Sequence, residues 1–229
     1  PFLARLAAEA GEMTIGLGIL LLNLHNPVYV AETVASLDII AKGNFIFGAG
    51  LGYREVEFNA FQVPKGKRVA RFEECLDLVQ RLWSGEEITY ESEVCKLDAV
   101  TMNIRPVQKP RPPIWIAANN DGAVERAARL GDAWFVSPHS TTATNLRQMG
   151  LYKAELERCG KAFPDEVPII KEVFCAKDRR EALEMCGPYL SGKYKDYFKW
   201  GQDEAMPGDE CFDLAFDELL RDRFILGSP

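Results

Sequence analysis

Residues 13–22 read Met-Thr-Ile-Gly-Leu-Gly-Ile-Leu-Leu-Leu, a near-continuous apolar run. A strand with one wet face alternates apolar and polar residues. This run does not alternate, so a strand here must be buried on both faces, as in a parallel sheet. Parallel neighbours need a crossover, and the following residues supply one. Pro27 opens a helical pattern over 28–41, with Val30, Val34, Leu37, Ile40 and Ala41 on one face. A second apolar run, 44–50, then ends in glycines.

The same alternation continues along the chain. Residues 1–11 read as a helix, with Phe2, Leu6 and Ala10 at helical spacing. The pattern over 68–83 carries Phe72, Cys75, Leu76, Val79 and Leu82, and Gly85 stops it. Residues from about 86 to 113 form a small excursion, a hairpin followed by a proline-rich extended stretch. Strands are expected at 114–118, 133–136 and 167–176, and helices at 122–130, 142–159, 179–195 and 212–221. Residues 197–209 are polar and irregular, and 224–226 begin a further element. Alternating strands and helices predict an α/β fold with a parallel sheet in one domain, 1–229. A closed barrel and an open doubly wound sheet both satisfy the pattern.

Ligands of parallel α/β folds sit at the carboxyl ends of strands. One such end is Phe47-Gly48-Ala49-Gly50-Leu51-Gly52. Its glycines have two readings: a floor for a flat ligand, or a tight turn needing positive φ. No helix opens on the third glycine, so the dinucleotide fingerprint is absent. Arg68 and Arg71 lie one helical turn apart, where both can face one anion; the alternative is a surface pair with Glu74 or Glu55. Asn119-Asn120-Asp121-Gly122-Ala123 follows a strand and opens a helix, which offers free backbone N–H groups to an anion. The alternative there is an N-cap by Asn120 or Asp121. Asp121 is an awkward charge beside an anion. His25 and His139 follow strand ends, where lone histidines are more often structural than catalytic, and no catalytic residue is assigned.

The string Lys42-Gly43-Asn44-Phe45, Phe47-Gly48-Ala49-Gly50-Leu51-Gly52-Tyr53, Glu57-Phe58 and Arg68-x-x-Arg71-x-x-Glu74 resembles the bacterial luciferase-like flavin-dependent oxidoreductases. The resemblance continues through Pro112-Pro113-Ile114-Trp115-Ile116-Ala117-Ala118 and Ala127-Ala128-Arg129-Leu130-Gly131-Asp132. It implies a (β/α)₈ TIM barrel, incomplete here at the N-terminus, where the first two strands are expected to be missing, and at the C-terminus. It implies that Gly50 and Leu51 lie near an isoalloxazine ring and that Gly18–Ile19 is a non-proline cis peptide beneath it. Arg68 or Arg71, and the turn of Asn119, Asn120, Gly122 and Ala123, would take the cofactor phosphate. The implied reaction is a monooxygenation of a small organic substrate by reduced FMN and oxygen. A flavin reductase would supply the FMN to a homodimer. The alternative within the family is hydride transfer with a deazaflavin; a third reading is a non-catalytic flavin-binding or scaffold protein.

Composition narrows the partners. With 27 basic and 34 acidic residues the net charge is −7, and no basic block is present, which argues against nucleic acid. No run reaches the roughly 18 apolar residues of a membrane span. The six cysteines form no Cys-x-x-Cys pair and only two histidines accompany them, so no metal site is expected. They read as reduced thiols of a cytoplasmic protein.

Overall fold

The structure is a computed structural model, and it describes every residue of 1–229 except Asp209. The last position of the irregular stretch expected at 197–209 therefore lies outside the described residues. The chain divides into two compact units, Pro1–Ile116 and Ala117–Pro229.

In the first unit, helix α1 (Phe2–Glu9) leads to two short strands, β1 (Ile15–Gly16) and β2 (Leu20–Leu21). Both pair in parallel with β3 (Phe45–Gly50), in registers Ile15↔Phe45 and Leu21↔Gly50. The long strand expected over 13–22 is thus interrupted. Its two pieces flank a cis Gly18–Ile19 peptide, the bond that the resemblance placed there. A 3-10 turn, Leu22–Leu24, replaces the strand's end. The expectation of burial on both faces also gives way: Gly16 is exposed and Leu20 only half-buried, because these strands pair with β3 alone and form the sheet's edge.

Between the strands runs α2 (Pro27–Ile40), started by Asn26, whose side chain accepts from Val28 N at 2.9 Å, with Pro27 in its first turn. Its buried face differs slightly from the sequence pattern. Ile40 is exposed, whereas Asp38 is fully buried. The Asp38 carboxylate accepts from Val107 N (2.7 Å), Gln108 N (3.0 Å) and Gln108 Nε2 (2.6 Å), so it ties down the proline-rich stretch.

After β3 come α3 (Glu55–Ala60), which the sequence pattern did not suggest, and α4 (Arg68–Ser84). Phe72, Leu76 and Val79 of α4 are buried, and Trp83 donates to Ala31 O at 3.0 Å while meeting Phe47 edge-on. Each such side chain contributes about 1.5–3 kcal/mol through burial. The excursion is an antiparallel hairpin of β4 (Ile88–Glu91) and β5 (Lys96–Val100). Tyr90 and Ser92 bind it to α4 through the Glu74 carboxylate. Strand β6 (Ile114–Ala118) then pairs in parallel with β3, Ala49 facing Ile116, and its last two residues begin the second unit.

In the second unit, α5 (Asp121–Leu130) is closed by Lys161, whose ammonium binds Ala128 O at 2.7 Å and Gly131 O at 2.6 Å. A cation there also suits the negative end of the helix dipole. Strand β7 (Ala133–Val136) buries Trp134, whose ring donates to Ala118 O at 3.1 Å and packs on Tyr152 of α6 (Thr142–Arg158). The strand expected over 167–176 shrinks to a bridge, Val136↔Ile169, and to β8 (Val173–Cys175). Helix α7 (Arg179–Lys199) is capped by Asp178. The helix expected over 212–221 is reduced to α8 (Phe216–Leu219), because Phe212 turns inward onto Tyr194 and Phe224 lies against Phe216. Strand β9 (Ile225–Gly227) pairs in parallel with β8 and closes a core with Ala182, Leu190, Tyr194, Phe212 and Leu226. Taken together, this is an α/β fold with parallel sheet pairing.

Candidate functional site

The carboxyl ends of β2 and β3 lie side by side in the first unit, since Leu21 is in register with Gly50. The glycines at the end of β3 are explained differently from one another. A Cβ on Gly48 would stand 1.7 Å from the Leu17 carbonyl oxygen, so its missing side chain makes room for the chain's own backbone. Gly52 has φ +76, the left-handed conformation of the tight-turn reading. Gly50 is buried and Leu51 half-buried at the strand tip.

Arg68 and Arg71 do not act as one pair. Arg68 Nη1 donates back to Lys65 O at 3.2 Å, whereas Arg71 Nε donates to Asn23 O at 2.7 Å. The surface-pair alternative also fails, because Glu74 is held by Tyr90 and Ser92, and Glu55 lies 3.3 Å from Lys65 Nζ. Arg71 is half-buried, and its terminal nitrogens have no carboxylate partner among the described residues. Beside it, burial pushes the Cys75 thiol up to about 12, which makes it an inert core sulfur.

Asn23 is the residue that sequence reasoning missed. It is fully buried, and neither its Oδ1 nor its Nδ2 has a hydrogen-bond partner among the described residues. Each unpaired group of this kind costs about 1–3 kcal/mol. The only sequence signal was a polar residue near the end of an otherwise apolar run. His25 faces elsewhere: it meets Phe61 edge-on and lines an apolar groove of ≈ 300 Å³ with Leu17, Leu20, Tyr29 and Val34. Burial lowers its pKa. Asn23, Gly50 and Arg71 do not line that groove.

In the second unit, Asn120 is the N-cap of α5, its side chain accepting from Ala123 N at 3.0 Å. The N–H groups of Asp121 and Gly122 have no acceptor among the described residues. Asp121 is less awkward than its sequence position suggested. Arg147 grips its carboxylate at 2.7 and 3.1 Å, Gln148 adds a bond at 3.0 Å, and the Arg147 hydrogen bond is the main cause of its lowered pKa. Gln148 also donates to Asn119 O, which fixes the turn before the helix.

His139 lies beyond β7 among Tyr194, Tyr197 and Phe212, with Nδ1 3.4 Å from the Tyr194 hydroxyl. Burial drives its pKa down to about 4. Nearby, Arg223 and Glu210 form a buried ion pair at 2.5 Å. Burial opposes ionisation of Glu210, but hydrogen bonds from Thr144 and Thr141 and the Arg223 charge prevail, and its pKa is lowered. These groups have protein partners and read as structure. Among the described residues, no group of His, Cys, Asp or Glu could hold a metal ion, and no helix is long and apolar enough to cross a membrane.

A family profile described as luciferase-like monooxygenase matches residues 1–227. The F420-dependent glucose-6-phosphate dehydrogenase of Kineococcus radiotolerans is 31% identical over 153 residues, 66% of this chain and 43% of that protein. The crystal structure of monooxygenase RslO1 from Streptomyces bottropensis matches with a TM-score of 0.79 at 26% identity, covering 99% of this chain and 67% of that one. The oxygenating constituent of 3,6-diketocamphane monooxygenase from Pseudomonas putida, in complex with FMN, shares the fold. Its TM-score is 0.79 at 17% identity, covering 99% of this chain and 69% of that one. The chain spans about half, or less, of the first curated relatives it matches: 51%, 34% and 43% of their lengths.

Proposed function

Because this chain belongs to the luciferase-like monooxygenase family, we propose that it is a flavin-dependent oxidoreductase, using reduced FMN and oxygen on a small organic substrate. The observation that carries the reading is Arg71. A guanidinium is fixed at Nε by a backbone carbonyl beyond a parallel strand's carboxyl end, and its terminal nitrogens form no ion pair with a carboxylate among the described residues. That is a cation prepared for an anionic ligand. In this reading Gly18, Ile19, Gly50 and Leu51 lie against the ring, and Arg71, or else Arg68, takes negative charge of the cofactor. Asn119, Asn120, Gly122 and Ala123 belong to the helix start, where the N–H groups of Asp121 and Gly122 suit a phosphate. Taken unit by unit, the residues suit such a group: the first holds a buried carboxamide and the second two helix-start N–H donors, none with a partner among the described residues. When bound, the flavin supplies the redox chemistry. The chain's own part is to hold it, orient it and keep water away.

Several finer points belong to the same proposal. The fold is that of a (β/α)₈ barrel, the protein acts as a cytoplasmic homodimer, and a flavin reductase supplies the reduced cofactor. F420-dependent hydride transfer is the second reading, favoured by the dehydrogenase relative. Titration of the purified protein with FMN, riboflavin and F420, followed by absorbance and fluorescence, separates them. We expect FMN to bind more tightly than riboflavin. Arg71→Met should remove about tenfold of that preference, in line with a lost charge-assisted hydrogen bond. Binding of F420 without FMN would select the second reading, and binding of neither would sink both.

A further inference from the structure

Asn23 has a place and a chemistry that the flavin reading does not yet use. It follows β2 by two residues, at the strand end that is in register with Gly50. Its backbone carbonyl is already taken by Arg71 Nε, yet both polar atoms of its side chain are sealed and unpaired. Its sequence neighbours, Leu22 and Leu24, are buried apolar residues. A hydrocarbon neighbour would leave the carboxamide as it is. The missing partner must therefore bring its own donor and acceptor.

A carboxamide presents one acceptor and one donor side by side. Asparagine uses that pair to read the edge of a nucleobase bidentately. The complement is a ring N–H next to a ring carbonyl, the lactam or imide pattern. It is not a phosphate, which offers no donor when ionised. Resting on the flavin reading above, we propose that the Asn23 carboxamide is a specificity-determining contact for the imide edge of the bound ring. This is the N3–H and adjacent carbonyl that FMN and F420 share. The turn Leu22–Leu24 opens as the ring enters, and the carboxamide exchanges a sealed, unpaired state for a bidentate contact. The assignment is independent of which of the two cofactors the protein uses.

The test compares FMN and F420 with their N3-methyl analogues, which lack the donor, in the wild type and in Asn23→Leu. Dissociation constants are read by fluorescence titration, and the unliganded melting temperature is read alongside. The wild type should reject the methylated form of its cofactor by about tenfold or more, as sites built around a hydrogen bond do. In Asn23→Leu that ratio should fall to near one, chiefly through weaker binding of the parent cofactor. The unliganded variant should melt no lower than the wild type, since an apolar side chain of similar size replaces an unpaired polar one. A variant that keeps the wild-type ratio, or a wild type that binds both forms alike, overturns the Asn23 contact while leaving the flavin reading intact. A wild type that binds neither FMN nor F420 overturns the flavin reading and this contact with it.

Discussion

Asp38 shows how one side chain can organise a loop far away in sequence. Its buried carboxylate satisfies the N–H groups of Val107 and Gln108, about seventy positions on by the chain numbering. Hydrogen bonds to a charged group are worth about 1.5–3 kcal/mol each, and they are not additive. Asp38→Ala should therefore lower unfolding stability by about 2–4 kcal/mol in urea titrations, with Asp38→Asn intermediate. A change within about 0.5 kcal/mol, the usual surface value, would show that the stretch is held by other means. The helical pattern put Val30, Val34 and Leu37 inside correctly but gave no reason to bury an acid. The donors that make Asp38 stable there come from a segment with no periodicity. Asn120 is the opposite case. Its capping bond to Ala123 spans three residues, so a local rule finds it.

At the scale of elements, the interrupted strand is the informative case. Residues 13–22 promised one long strand, and apolar content alone cannot reveal a break. The break becomes visible only beside β3, where the Leu17 carbonyl occupies the space that a Gly48 side chain would need. Gly48→Ala places a methyl 1.7 Å from that oxygen and should cost more than about 3 kcal/mol, beyond ordinary overpacking. Gly52→Ala meets Leu21 at 3.0 Å and a φ of +76, and should cost about 1–2 kcal/mol. Thermal melts of the two variants check the order; a reversal would mean that the β1–β2 segment shifts freely away from Gly48. The shortened helix near residue 216 has the same origin: Phe212 finds aromatic partners in the core instead of continuing a helical face.

For the whole molecule, acid is the sensitive direction. His139 is charged in the unfolded chain below its ordinary value of 6.5, but its pKa in the folded chain is about 4. Between these values the unfolded state binds the extra proton, so stability falls as pH drops from about 6.5 to about 4. The loss amounts to about 3 kcal/mol. His139→Phe should flatten that part of a stability–pH curve; an unchanged slope would place the acid sensitivity elsewhere. Below that window Glu210 and Asp121, whose pKa values are lowered in the fold, add their own losses as they protonate. The sequence pI of about 5.1 falls in the same range, so solubility should also be lowest there. By itself, the sequence determined the α/β class, most helix starts and stops, and the family, because caps, periodicity and glycine placement act over a few residues. Tertiary structure alone decided where the long apolar run breaks, which acid is buried, that Arg68 and Arg71 part company, and that the Asn23 side chain has no partner among the described residues. Each of those outcomes depends on whether a group distant in the chain arrives within hydrogen-bonding reach, and no local pattern carries that information.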